Sequence, residues 1–252
     1  MNERTLSQMI EDYKPALTDV AAMKVDYGLT DSEINQIARE LENIPNEHWY
    51  YCTFRNSWLT CLYGNADVDN KSEMSWLPSS EGATTLKRLT EEVIFPMTDK
   101  KPRLIIIRTW PGTHMNLHTD CSPDEIDLFQ PKLRLVVKGQ QNTLYFVNEN
   151  GEKVHIPDEW HSYVMTGTAL HGMDNEVEEK FTVCWGDPWE GDDLRNEKFA
   201  SWIINNYEKY KDTAILKSSL GNVNHVSAVK DKQKHRLYSW EEYNEAFGNS
   251  AS

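Results

Sequence analysis

The sequence predicts a mainly β architecture with flanking helices, and three observations carry that reading. Between Arg103 and Gly186, short apolar or alternating runs recur at close intervals (RLIIIRTW, MNLHTD, LRLVV, TLYFV, KFTVCWG). Turn signals such as Pro111-Gly112 and Asn150-Gly151 stand between them. Apolar residues at helical spacing occur only before and after this region. Short strands separated by turn residues point to an antiparallel sandwich or barrel rather than a parallel sheet.

The elements follow in order. A chain of 252 residues suits one domain with a sizeable core. We divide it into a helical and irregular lead-in packed on the core (1–100), the β core (101–190) and a C-terminal helical extension (191–252). In the lead-in, Thr30 and Glu33 have capping-box spacing, and Ile34, Ile37, Leu41 and Ile44 follow at helical intervals up to Pro45. HWYYCTFRNSWLTCLYG is rich in aromatic and β-branched residues and predicts one or two strands extending a sheet. Thr84 to Phe95 reads as a second amphipathic helix, with Leu86, Leu89 and Val93 on one face. In the core, the apolar run RLIIIRTW suits a strand covered on both sides. Asn150-Gly151 marks a hairpin between TLYFV and EKVHI. NEKFASWIINNYEKYKD predicts a helix, and the polar tail carries one short ordered segment around Tyr238 to Phe247.

Composition narrows the partners. A net charge of −14 argues against nucleic acid or an anionic membrane, which need concentrated Lys and Arg. No apolar run reaches membrane-spanning length, and MNERTLSQMIEDYK lacks the apolar core of a signal peptide. Cys52, Cys61, Cys121 and Cys184 form no CxxC pair, so reduced thiols in a cytoplasmic protein are expected. Most of the nine tryptophans belong to the core, with Trp110, Trp185 and Trp189 as core or rim residues.

The chemistry concentrates in RTWPGTHMNLHTD and, far downstream, ALHGMDN. On a strand, alternate side chains leave the same face, so His118 and Asp120 project together. Two imidazoles and one carboxylate on one face of an ion make the facial triad of non-haem Fe(II) sites, with other positions left open. His171 is the candidate for the second imidazole, with His161 and then His155 as rivals. His114 suits a solvated loop position.

On these residues the chain resembles the Fe(II)/2-oxoglutarate-dependent oxygenases, over roughly Arg103 to Trp189. The order LHTD, KLRLVV, ALHGMDN, KFTVCWGDPW looks most like the aspartyl/asparaginyl β-hydroxylase branch. The resemblance implies a double-stranded β-helix (jelly roll, cupin-like) and a dioxygenase using Fe(II), 2-oxoglutarate and O2, with His118, Asp120 and His171 holding the metal. It implies a basic anchor for the cosubstrate's distal carboxylate at Lys180, with Arg134 as the second candidate. An ordinary edge-strand lysine is the rival reading of Lys180. The chain departs from that branch at Val136, where those enzymes carry His, and at Asp120, where they commonly carry Gly. Retention of a carboxylate favours hydroxylation over halogenation. The implied substrate is an Asp- or Asn-like side chain in an amino acid, peptide or protein, with Arg103 and Arg108 as candidate partners for a substrate carboxylate. A cupin-type metal enzyme without 2-oxoglutarate and a non-catalytic jelly-roll binding module are the alternatives. Residues 121–131 form a loop at the site mouth, with a lid role left open, as is the oligomeric state.

Overall fold

A computed structural model of the chain describes residues 5–65, 73–98, 101–120, 131–186, 194, 196–220 and 236–247. The N-terminal part contains α1 (Leu6–Asp19), β1 (Val20–Lys24), α2 (Asp31–Glu42), β2 (Tyr50–Cys52), β3 (Ser57–Gly64), β4 (Ser75–Trp76) and α3 (Thr84–Leu89). The central part contains β5 (Arg103–Thr109), β6 (Thr113–His118), β7 (Pro131–Lys138), β8 (Leu144–Val147), β9 (Lys153–His155), β10 (Ser162–Thr166), β11 (His171–Asn175) and β12 (Lys180–Gly186). The C-terminal part adds α4 (Glu197–Tyr210), β13 (Ile215–Leu216), α5 (Lys217–Leu220), β14 (Leu237–Ser239) and α6 (Trp240–Phe247).

The larger sheet runs β13-β1-β10-β7-β12-β5-β3-β2-β14, with β4 beside β3, and the smaller runs β6-β11-β8-β9. From β5 to β12 the chain crosses between the sheets at each step, except at the β8–β9 hairpin. The core order β10-β7-β12-β5 facing β6-β11-β8-β9 is that of the double-stranded β-helix, as the resemblance implies. Every described pairing is antiparallel, so each strand sends alternate side chains to opposite faces.

That alternation splits the core in two. Leu133, Leu135, Val183, Trp185 and Ile106 leave the outer face of the larger sheet and pack with Leu17, Ile37, Leu41, Phe199 and Ile203 of the helices. Complete burial of such side chains contributes roughly 1.5–3 kcal/mol each. Val136, Tyr163 and Met165 leave the inner face and meet Phe146, Ile156 and Trp160 between the sheets. The helices therefore brace one face and leave the inter-sheet space for the site. α1 and α2 begin at capping boxes on Thr5 and Thr30.

Several elements lie where the residues predict them, including α2, the β2–β3 pair, α4 and the tail segment β14–α6. β1 was not anticipated. Its sequence, VAAMK, is nearly all buried and shows no period-2 alternation by which to recognise a strand. The predicted helix from Thr84 stays α-helical only to Leu89 and widens to a π turn over Thr90–Ile94. There the Thr90 hydroxyl donates to the Leu86 carbonyl and accepts from Trp185 Nε1 at 3.0 Å. No described helix is long and apolar enough to cross a membrane.

Gly139, after β7, links the scaffold to the site. It has φ +83°, and a Cβ there would lie 2.8 Å from the Glu179 carbonyl oxygen and 2.9 Å from Lys180 Cα. Gly139→Ala is expected to cost roughly 1–3 kcal/mol, from the strained backbone together with the displaced start of β12. Urea denaturation checks this, and a midpoint equal to that of the wild type would contradict it.

Candidate metal centre

The triad is assembled by strand pairing. β6 and β11 lie side by side in the smaller sheet, with His118 and His171 as direct partners. Their rings have centroids 4.4 Å apart. Asp120 follows β6, and its backbone N–H donates to the Gly167 carbonyl at 2.8 Å. A Cβ on residue 167 would come within 2.8 Å of Asp120 Cβ, so glycine is what allows this approach. One ligand-type atom from each of His118, Asp120 and His171 lies within 4.8 Å of the others.

Both imidazoles are aimed. His118 Nδ1 lies 2.8 Å from the Asn116 carbonyl, and His171 Nδ1 lies 2.8 Å from the Ala169 carbonyl. A carbonyl only accepts, so each Nδ1 carries the proton and each Nε2 is left with a lone pair. His118 Nε2 is 3.5 Å from Asp120 Oδ1, and His171 Nε2 is 3.7 Å from Oδ2. His118 Nε2 is buried with no hydrogen-bond partner among the described residues. A buried polar atom without a partner is costly, and an ion among these three groups would relieve that cost. The donor set fits a divalent transition metal.

Protonation favours the same state. Burial pushes the His171 imidazole down to about 3, and burial also lowers His118, in both cases against the pull of Asp120. Burial alone would raise Asp120. The charges of Lys132, His171, Arg55 and His118 outweigh it and hold the carboxyl well below its usual range. Near neutral pH the site therefore offers two neutral imidazoles and one carboxylate. Lys132 donates to Asp120 Oδ2, which leaves Oδ1 as the oxygen available to an ion.

A cavity opens from the triad between the sheets, lined by Arg55, Asp120, Arg134, Tyr163, His171 and Lys180 with apolar neighbours. Lys180 is buried. Its Nζ donates to Thr143 Oγ1 at 2.6 Å and to the Gln141 carbonyl at 3.4 Å. Burial pushes its ammonium down to about 7. β12 lies between β7 and β5, so Lys180 is not an edge-strand lysine. Arg134 is also buried and lines the same cavity.

The remaining sequence candidates lie elsewhere. His161 Nδ1 contacts the Gln141 side chain, His155 Nδ1 contacts the Asn142 carbonyl, and His114 pairs with Asp174. Arg108 is a correction. It points to the outer face of the larger sheet, salt-bridged to Glu179 at 2.5 Å and stacked against Trp49, Trp110 and Phe181. Arg103, at the other end of β5, packs beside Gly64 and is not among the cavity-lining residues. Trp185 is a core residue, whereas Trp189 and residues 121–130 of the mouth loop lie outside the described residues.

Two site residues were missed. Lys132 stands two positions before Arg134 and shares its strand face, a parity legible in KLRLVV. Arg55 sits on the β2–β3 turn, where Phe54 presses its ring against His118 at 5.2 Å between centroids. No local pattern marks Arg55, because the contact is made only by tertiary folding.

No family model matches the chain, and no curated protein matches it in sequence. Among solved structures it is similar to a Pseudomonas putida prolyl-4-hydroxylase, with 11% identity and a TM-score of 0.44, over 72% of this chain and 98% of that one. It is similar to a Burkholderia pseudomallei oxidoreductase of the 2OG-Fe(II) oxygenase family, with 16% identity and a TM-score of 0.44, over 73% and 90% of the two chains. A viral collagen prolyl hydroxylase from Paramecium Bursaria Chlorella virus-1, in complex with 2OG, gives 14% identity and a TM-score of 0.38, over 66% and 94%.

Saturating Mn(II) is expected to raise the melting temperature of the wild type, since an ion bound only by the folded chain stabilises it. His171→Ala should remove most of that shift. Differential scanning calorimetry with and without Mn(II) measures it, and an undiminished shift in the variant would place the ion elsewhere.

Proposed function

We propose that this chain is an Fe(II)- and 2-oxoglutarate-dependent dioxygenase that hydroxylates a C–H bond. The substrate in this reading is an Asp- or Asn-like side chain of an amino acid, peptide or protein. The observation that carries the proposal is the buried His118 Nε2, without a hydrogen-bond partner among the described residues, facing Asp120 and His171, which line a cavity together with a buried lysine.

His118, His171 and Asp120 would hold the metal, which supplies the one-electron chemistry needed to use O2. Their backbone and Lys132 hydrogen bonds keep the donor atoms aimed without reorganisation. Lys180, steadied by Thr143, would receive the distal carboxylate of 2-oxoglutarate. A buried ammonium gains a desolvated, charge-assisted partner when a carboxylate enters. The apolar wall of Ile107, Met115, Leu144 and Met173 would keep water from the reacting carbon. The free thiols of Cys52, Cys61 and Cys184 fit a reducing compartment such as the cytoplasm.

Lys180→Ala is expected to raise the 2-oxoglutarate concentration needed for succinate formation by at least about tenfold, with the Fe(II) requirement within about threefold of wild type. Equal effects on both would remove Lys180 from the cosubstrate role, and absence of Fe(II)-dependent succinate from the wild type would remove the reaction. The pH dependence has a definite sign. Free Lys180 titrates at about 7, so above that pH a carboxylate binds only with proton uptake. Calorimetric affinity for 2-oxoglutarate should therefore fall by up to about tenfold per pH unit above neutrality and level off below it. A flat profile from pH 7 to 9 would contradict this.

A further inference from the structure

The cavity holds more positive charge than the proposed metal and cosubstrate can use. Arg55, Arg134 and Lys180 all line it, and Asp120 is the one carboxylate among its described lining residues. Asp120 is itself engaged by Lys132. All this stands in a chain of net charge −14, so the convergence of cations is local and not a reflection of composition. A divalent ion and the dianionic 2-oxoglutarate cancel each other, and Lys180 meets the cosubstrate's distal carboxylate. Among the described residues, Arg55 and Arg134 then face no further anion. Neither guanidinium donates a hydrogen bond to, or forms an ion pair with, any of the described residues. A guanidinium cannot shed its charge by deprotonation, so a cation held in such a cavity calls for an anionic partner.

The two arginines differ in position. Arg134 is buried in the larger sheet between β10 and β12. Arg55 is partly exposed, on the turn that lays Phe54 against His118. Its charge reaches Asp120, His118 and Lys132. Of the cations among the described lining residues, it is the one that is not fully buried, and its charge acts on the triad, where a substrate has to enter.

We propose that Arg55 is a substrate-binding residue and that the substrate of this enzyme carries a carboxylate, which the Arg55 guanidinium grips at the cavity mouth while the target C–H lies inward toward the triad. The inference rests on the reading of the site as a 2-oxoglutarate-dependent centre. It adds to that reading the charge of the substrate and the residue that selects it. A planar guanidinium matches a carboxylate with two parallel hydrogen bonds, which gives orientation as well as affinity.

The test uses the full chain loaded with Mn(II), a redox-stable stand-in for Fe(II), and saturated with 2-oxoglutarate, so that the Lys180 position is filled. Isothermal titration calorimetry first measures 2-oxoglutarate binding. It then measures propionate, a minimal carboxylate, against propionamide, its neutral isostere. Wild type is expected to bind propionate at least about tenfold more tightly than propionamide. R55Q should lose that preference while keeping its 2-oxoglutarate affinity within about threefold of wild type, and R55K should recover part of it. Failure of the wild type to bind 2-oxoglutarate would sink the dioxygenase reading itself. Normal 2-oxoglutarate binding with no preference for propionate, or an unchanged preference in R55Q, would overturn this inference alone. Parallel loss of 2-oxoglutarate affinity in R55Q would overturn it too, by making Arg55 a cosubstrate ligand.

Discussion

The pairing of β6 with β11 is the constraint on which the site depends. It sets His118 directly beside His171 and so fixes the distance between two imidazoles that are far apart in sequence. A slip of one residue in that register would turn one of the rings to the opposite face of the smaller sheet. The register is held from both sides, since β11 is also paired with β8, where His171 stands opposite Phe146. The two Nδ1–carbonyl bonds then convert a strand position into a ring orientation. Asp120 joins through its own backbone bond to Gly167 and its side-chain bond to Lys132. Each of the three side chains is thus placed by the fold's own hydrogen bonds.

The larger sheet supplies the other half of the site. Its outer face is braced by helices α1, α2 and α4, and its inner face carries Lys132, Arg134, Tyr163, Lys180 and Thr182 toward the smaller sheet. Burying these cations is unfavourable, as the lowered Lys180 ammonium shows. The apolar packing of the outer face is what tolerates that cost. A cavity rich in cations and poor in anions is poised for anionic ligands, and its affinity for them comes from relieving charges already desolvated.

How much of this was legible in the sequence follows from the range of each interaction. The β core was readable because alternation and turn residues such as Asn150-Gly151 are local, and the His118-x-Asp120 spacing puts both side chains on one face whatever the rest of the chain does. His171 was separable from His161 and His155 only through the resemblance, because strand pairing is nonlocal. β1 escaped because a buried strand rich in alanine leaves no periodic trace. Arg108 misled for a related reason. Its parity on β5 sends it to the outer face, but RLIIIRTW is apolar on both sides and hides which face is which. Arg55 was invisible, since nothing near FRN in the sequence says that the turn will fold over a histidine.

The central claim is that His118, Asp120 and His171 hold an ion that also receives 2-oxoglutarate in the Lys180 cavity. Anaerobic visible spectroscopy of the metal-free chain, titrated with Fe(II) and then with 2-oxoglutarate, tests it most directly. The account predicts a weak metal-to-ligand charge-transfer band that appears only when both are present and is absent in Asp120→Ala. A chain that binds Fe(II) yet gives no band with saturating 2-oxoglutarate would contradict it and leave a metal site of another kind.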